Sequence, residues 1–258
     1  MKDLGIRVAS GAVGLVLLLT VLYMGGPALV IGLLIVSLIA LKEFYNSLRK
    51  LGRNPVDIAG YFATALLIAS FYYDYDINSL ILAFLLLFLL SITVLTKDHD
   101  IIDAAITLIG VIYIPFLLYH VLLMEGQPIM WVVFLIAFGT DTFAYIIGSK
   151  FGKKRLCPDI SPKKSVEGAF GGIAGSILVT ILYGVFFKIE PLWSLSILAL
   201  VGSVLSQLGD LTASRIKRLT GIKDFGSIMP GHGGMLDRFD SVIFTAPLVY
   251  YYMVYFLR

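Results

Sequence analysis

The chain contains a series of long, continuous apolar runs separated by short polar segments. A helix needs about 20 apolar residues to cross a hydrocarbon core about 30 Å thick. Apolar and polar residues do not alternate within the runs, which favours helices over membrane strands. Charged residues make up 14% of the chain, whereas a soluble domain carries about 25%. The sequence therefore predicts an all-α, polytopic transmembrane helical bundle of about nine spans, at residues 5–24, 27–47, 58–73, 79–96, 101–124, 128–149, 169–187, 192–212 and 237–257.

Lysine and arginine are distributed unevenly among the loops that join these spans. When the N-terminus is placed in the cytoplasm, all of the 20 Lys and Arg residues except Lys188 and Arg258 fall on the cytoplasmic side. This is the bias that orients membrane proteins. We therefore expect an integral protein of an inner or plasma membrane, with its N-terminus and its active surface in the cytoplasm. We expect one integral membrane domain, residues 1–258, in which residues 1–125 form N-terminal spans and residues 126–258 hold the catalytic helices and cytoplasmic loops.

Four aspartates, Asp141, Asp210, Asp237 and Asp240, lie within the predicted spans or at their cytoplasmic ends. Ionisable residues inside a membrane are costly and tend to mark functional sites. Asp237 and Asp240 are three residues apart, which places both on one helical face. Carboxylates that gather in a medium of low dielectric constant need a cation, and hard oxygen ligands suit Mg²⁺. The alternative is that these acids are solvated or salt-bridged at helix ends.

The segment before the last span is rich in glycine and basic residues. Glycines such as Gly233 and Gly234 leave backbone N–H groups open to close approach by an anion. The segment leads into a helix N-terminus, which also favours phosphate. His232 is either a phosphate donor or general acid/base, or a turn residue held by backbone contacts. The combination predicts a polyphosphate site, with the added positive charges of Lys217, Arg218, Lys223 and Arg238.

A second basic segment precedes the seventh predicted span. Ser161 followed by Pro162 is typical of a helix cap and first helical position, so we expect Lys163 and Lys164 at the start of a short interfacial helix. There they could hold an anionic lipid head group or a nucleotide phosphate. The alternative is a basic loop attracted nonspecifically to anionic lipids, at about 1 kcal/mol per residue.

Five segments together carry a resemblance to a known family: residues 141–145, 161–168, 214–218, 223–224 and 230–240. They resemble the phosphatidate cytidylyltransferases, also called CDP-diacylglycerol synthases. The resemblance covers roughly residues 135–245. The sequence departs from the family pattern at Ser165, where Thr is more usual, and at Ala213, where many bacterial members carry Glu.

The resemblance implies that a phosphatidate oxygen attacks the α-phosphorus of CTP and that pyrophosphate leaves. It implies CTP, phosphatidate and membrane lipids as partners, no nucleic acid, and Mg²⁺ as cofactor, with a second cation and a homodimer left open. The catalytic residues would be Asp210, Asp237, Lys223, Arg238 and His232. The metal ligands would be Asp210, Asp237, Asp240 and Asp141, and the substrate-binding residues Ser161, Lys163, Lys164, Ser214, Lys217, Arg218, Gly233 and Gly234.

Two other functions fit parts of the same pattern. A CTP-dependent polyprenol kinase would use a similar pocket but direct attack at the γ-phosphorus. An ion-coupled secondary transporter would use Asp141 and Asp210 as proton or sodium sites and perform no chemistry. The transporter reading does not explain why cations and glycines crowd one cytoplasmic loop.

Overall fold

A computed structural model describes residues 2–72, 77–228, 231 and 233–257, with side chains described from Ser10 onward. The predictions for His232 and Arg258 therefore lie outside the described residues. The described α-helices are α1 Lys2–Met24, α2 Gly26–Arg49, α3 Asp57–Ala69, α4 Asn78–Leu95, α5 Ile101–Val111, α6 Leu117–Leu122, α7 Met130–Phe151, α8 Val166–Phe187, α9 Leu192–Leu219 and α10 Leu236–Phe256. A 3₁₀ turn, Ser70–Tyr72, follows α3, and a π-helical turn, Ile112–Phe116, joins α5 to α6.

The described chain is predominantly helical, as predicted. Among the described residues, six helical segments are long and apolar enough to cross a membrane: Gly26–Arg49, Asn78–Leu95, Ile101–Leu122, Met130–Phe151, Val166–Phe187 and Leu192–Leu219. Two shorter apolar stretches, Ser10–Met24 and Asp57–Tyr72, accompany them. By length and composition the chain is thus an integral membrane protein, while the count of nine spans stays a prediction.

The chain forms two compact units. The first comprises Met1–Leu123 and Leu219–Arg238, and the second comprises Met124–Arg218 and Phe239–Arg258. In the first unit the buried Tyr45 side chain of α2 donates a hydrogen bond of 2.8 Å to the Thr107 carbonyl of α5. Gly110 of α5 lies against the same ring, and a Cβ there would stand 2.6 Å from Tyr45. This close packing fixes α2 against α5 within the first unit.

In the second unit α7 and α8 pack closely along their lengths through small residues. A Cβ at Gly172 would lie 2.8 Å from the Thr140 carbonyl oxygen, and one at Gly168 would lie 2.8 Å from the Ala144 carbonyl oxygen. Small residues allow helix backbones to approach closely where lipid provides no hydrophobic drive for association. The glycines of α8 therefore hold the helix that carries Asp141.

We expect Gly172→Val to lower the thermal unfolding temperature of the detergent-solubilised protein. The added side chain has no room beside Thr140, and such overpacking costs about 1–3 kcal/mol. Ala174→Val is the matched control because Ala174 is exposed on the same helix. Equal unfolding temperatures for the two variants would contradict the close packing of α7 and α8.

The predicted helix at Ser161 is wrong. Residues Ser161–Ser165 form strand β2, which pairs antiparallel with strand β1, Arg155–Cys157. Proline disfavours helical backbone in the residue before it. It can occupy an edge strand because its nitrogen, which carries no hydrogen to donate, can face away from the partner strand. The cap of the following helix is instead Ser165, whose hydroxyl accepts a hydrogen bond of 3.1 Å from the Gly168 amide. Helix α8 consequently begins at Val166, three residues before the predicted span.

Candidate active site

A cleft of about 530 Å³ opens in the second unit. Helices α7 and α9, the hairpin and the first turn of α8 supply its walls. Acidic and basic side chains both face the cleft, a combination that suits a phosphate ligand and its counter-ion. The residues that line the cleft and carry charge are Asp141, Arg155, Lys163, Lys164 and Asp210.

Asp210 of α9 has two side-chain partners in the second unit. The Lys164 ammonium forms an ion pair with the Asp210 carboxylate, and both side chains are about one-quarter exposed. One helical turn later, the Ser214 hydroxyl donates a hydrogen bond of 3.3 Å to Asp210 Oδ1. The hairpin formed by β1 and β2 therefore brings Lys164, a predicted substrate-binding residue, into an ion pair with Asp210, a predicted metal ligand.

Asp240 of α10 also lies in the second unit. Its side chain is only 6% exposed, and its carboxylate accepts a hydrogen bond of 2.7 Å from the Ser241 amide. Asp210 and Asp141 are its negatively charged neighbours, and Lys217 is a positively charged one. Carboxylates from α7, α9 and α10 thus act on one another electrostatically.

Asp210, Asp240 and Asp141 are electrostatic neighbours, and their carboxylate oxygens are the ligand type that Mg²⁺ prefers. Within the described ranges, however, no three His, Cys, Asp or Glu side chains are already arranged to hold a metal ion. The Lys164 ammonium supplies positive charge at Asp210. The residue types therefore fit a divalent cation, and the assignment of metal ligands stays a prediction.

Asp237 belongs to the first unit and accepts hydrogen bonds from the loop that precedes α10. Its Oδ2 atom accepts from the Phe225 amide and from the Gly234 amide, both at 2.9 Å. Gly233 has a φ of +88°, a left-handed conformation that favours glycine. Asp237 therefore closes the glycine-rich loop on itself, a contact that the sequence did not predict.

Glu43 of α2 is a residue that the sequence reasoning missed. Its carboxylate accepts hydrogen bonds from the Met235 amide, at 3.0 Å, and from the Leu236 amide, at 2.8 Å. These amides open α10, where we had expected phosphate to bind. The signal that could have found Glu43 is its position as the one acid in the apolar helix Gly26–Arg49, since such residues are functional candidates by default.

Comparison with known proteins decides the family. The model described as "Cytidylyltransferase family" matches residues 5–256, which is nearly the whole chain. The chain belongs to the cytidylyltransferase family. A relative from Staphylococcus haemolyticus named "Phosphatidate cytidylyltransferase" is 38% identical over 259 residues, covering 95% of this chain and 96% of the relative. Relatives of the same name from Staphylococcus epidermidis and Staphylococcus aureus (strain COL) are 39% and 38% identical, with the same coverage of both chains.

The remaining predicted residues are divided between the two units. The Arg218 guanidinium donates a hydrogen bond of 3.2 Å to the Ile160 carbonyl at the turn of the hairpin. Ser161 begins β2 and is half-buried. Lys223 and Arg238 are exposed in the first unit. Arg155, which was not among the predicted site residues, lines the cleft of the second unit.

Proposed function

We propose that this chain transfers a cytidylyl group from CTP to phosphatidate, giving CDP-diacylglycerol and pyrophosphate. The observation that carries the proposal is the Lys164–Asp210 pair in a cleft that also holds Asp141, Arg155 and Lys163. The staphylococcal relatives support it because they bear the name phosphatidate cytidylyltransferase and match almost end to end.

The reaction joins two anions, so its catalyst must first neutralise negative charge. A phosphatidate phosphate oxygen forms a bond to the α-phosphorus of CTP, and the bond from the α-phosphorus to the bridging oxygen breaks. The electron pair of that bond leaves with pyrophosphate. Positioning and electrostatic stabilisation supply most of the catalysis in such displacements. Arg155, Lys163 and Lys164 are the cationic residues that would bind phosphate oxygens in the cleft of the second unit.

We assign Asp210, Asp240 and Asp141 as the carboxylates of the second unit that would hold Mg²⁺. Asp237 stays a predicted ligand on the same helix as Asp240. When bound, the cation would neutralise charge on the phosphates. Lys164 would remain in the cleft to bind a substrate phosphate, because its ammonium already lies beside Asp210.

The proposed orientation places this chemistry at the cytoplasmic face of the membrane. Nine spans, with α10 as the last, would put the N-terminus inside and the C-terminus outside, and the positive-inside bias supports this order. Helix α10 has 21 residues, a length of about 31 Å at 1.5 Å per residue. CTP is a cytoplasmic nucleotide and phosphatidate is a membrane lipid, so an inner-face site serves both substrates.

The test uses purified protein in detergent micelles with CTP, phosphatidate and Mg²⁺. We expect CDP-diacylglycerol and pyrophosphate in equal amounts, and no product when a polyprenol replaces phosphatidate. A polyprenol kinase would instead give polyprenyl phosphate and CDP, and a transporter would give neither product. Absence of CDP-diacylglycerol from a folded, detergent-stable preparation would refute the proposal.

We expect Lys164→Met to lower kcat/KM for the transfer by about 10²-fold, comparable with the removal of one charge-stabilising donor. Methionine preserves most of the length of the lysine side chain but removes the charge beside Asp210. The matched control is Lys154→Met on the loop before β1, where the Lys154 amide rather than its ammonium contacts Glu167. If both variants retained wild-type kcat/KM, Lys164 would have no part in substrate binding.

A further inference from the structure

Glu43 is a buried carboxylate in α2, a helix that carries none of the five motif segments of the sequence analysis. Its side chain is 6% exposed, although it lies in an apolar helix long enough to cross a membrane. A buried charge needs partners that satisfy it. Glu43 finds them in the backbone amides of Met235 and Leu236, which are 192 and 193 residues away in sequence.

The two partners are amides at the start of α10. The first amides of a helix have no carbonyl partner within the helix, and the helix dipole makes them attractive to an anion. A phosphate group could occupy such a place. In this structure the Glu43 carboxylate occupies it, so Glu43 serves as the cap of α10 from a different helix.

The Glu43 carboxylate fills the space that a side chain would need at two glycines of the loop. A Cβ at Gly234 would lie 2.5 Å from Glu43 Oε2, and a Cβ at Gly226 would overlap the same carboxylate. Neither glycine has a positive φ, so backbone conformation does not require glycine at these positions. The absence of a side chain is instead what lets the loop close around Glu43.

Glu43 and Asp237 accept hydrogen bonds from consecutive amides of this loop. Gly234 donates to Asp237, and the next two residues donate to Glu43. The Asp237 charge also acts on Glu43, so the two carboxylates are electrostatic neighbours. Their hydrogen bonds set the path of the backbone that carries Lys223 on one side and Arg238 on the other.

We propose that Glu43 is a positioning residue for CTP. It holds the described loop residues 233–235 and the first turn of α10 in the conformation that presents Lys223 and Arg238 to the triphosphate. The inference rests on the proposed function, because it assumes that these two cations bind CTP. Glu43 itself contacts backbone amides and does not touch the reacting atoms.

The first experiment compares Glu43→Gln with wild type in the cytidylyl transfer assay. Glutamine has the same shape, but its amide nitrogen cannot accept one of the two hydrogen bonds. We expect KM for CTP to rise at least tenfold while KM for phosphatidate stays within twofold. Lys42→Gln, on the exposed side of the same turn, should keep both wild-type KM values. An unchanged KM for CTP, or an equal rise of both KM values, would overturn the proposal.

A second measurement tests the loop without relying on turnover. Hydrogen exchange in peptides that cover residues 233–237 should be at least tenfold faster in Glu43→Gln than in wild type, with unchanged exchange in α7. Unchanged protection of these peptides overturns the proposal even if the protein proves to have another activity. The opposite result is also informative. If the wild-type protein lacks transfer activity but its loop protection still depends on Glu43, the proposed function is refuted and the contact between Glu43 and the loop stands.

A steric test shows whether Gly234 is required because of the Glu43 carboxylate or for another property of the loop. Gly234→Ala should impair CTP binding in the wild-type background because its Cβ meets Glu43. In a Glu43→Ala background the same change should add less than a twofold effect on KM for CTP, since the obstructing carboxylate is gone. Equal effects of Gly234→Ala in both backgrounds would show that the glycine does not exist to accommodate Glu43.

Discussion

Asp210→Asn should lower kcat/KM for cytidylyl transfer by about 10³-fold or more, the upper range for loss of one preorganised charge-stabilising group. Asparagine fills the same space and its carbonyl oxygen can still accept the Ser214 hydroxyl. It lacks the negative charge that pairs with Lys164 and that a divalent cation would need. The effect should appear mainly in kcat, and the unfolding temperature in detergent should remain close to that of wild type.

The matched control is Asp159→Asn, an exposed aspartate at the turn between β1 and β2. It changes the same charge on the same unit without touching the cleft, and we expect wild-type kinetics. Activity of Asp210→Asn within tenfold of the control would remove Asp210 from the catalytic group. A large fall in unfolding temperature would indicate that the ion pair with Lys164 serves folding instead.

Asp237→Asn should also reduce turnover by about 10²-fold or more, comparable with loss of one charge-stabilising group. The structure makes this substitution informative because the Asp237 contacts with Phe225 and Gly234 both use a single oxygen. An asparagine carbonyl can accept both hydrogen bonds, so the loop conformation is retained while the charge is lost. Steady-state kinetics and hydrogen exchange of residues 233–237 measure the two consequences separately.

Asp237→Ala provides the comparison, because alanine removes both the charge and the hydrogen bonds. We expect it to lose activity and also to expose the loop to hydrogen exchange, whereas Asp237→Asn loses activity alone. Wild-type turnover in Asp237→Asn would show that Asp237 organises the loop without acting on the substrates or on a cation.

The helices were the part of the fold most accessible from sequence. A continuous apolar run in lipid is expected to form a helix, because a helix satisfies the hydrogen bonds of its backbone groups within the segment. Helix α9 nevertheless continues to Leu219, beyond the predicted end at residue 212. Its last turn carries Lys217 and Arg218, which suit a helix C-terminus electrostatically. Hydropathy marks where a helix could lie in lipid, and it does not mark where the helix ends.

The hairpin was not accessible from the cues that we used. Ser161-Pro162 fits a helix start by residue preference, and the same dipeptide also fits an edge strand. The choice depends on pairing with Arg155–Cys157, which is a tertiary contact. The Lys164–Asp210 pair follows from that contact, because the strand sets the direction of the lysine side chain.

The candidate site was predictable in its residue types and less so in its partners. Asp141, Asp210 and Asp240 could be named because charge is rare in apolar spans. The contacts of Glu43 and Asp237 with backbone amides could not be deduced, since every loop residue except proline offers the same N–H donor. Sequence spacing gives no information on which amide a distant carboxylate will reach.

The most direct test of the central claim follows the phosphorus atoms of CTP in parallel reactions with phosphatidate. One reaction contains CTP labelled at the α-phosphorus, and the other contains CTP labelled at the γ-phosphorus. Cytidylyl transfer places the α-label in the lipid fraction and the γ-label in pyrophosphate, with Asp210→Asn giving neither above background. Appearance of the γ-label in lipid, or of both labels only in water-soluble products, would contradict the account.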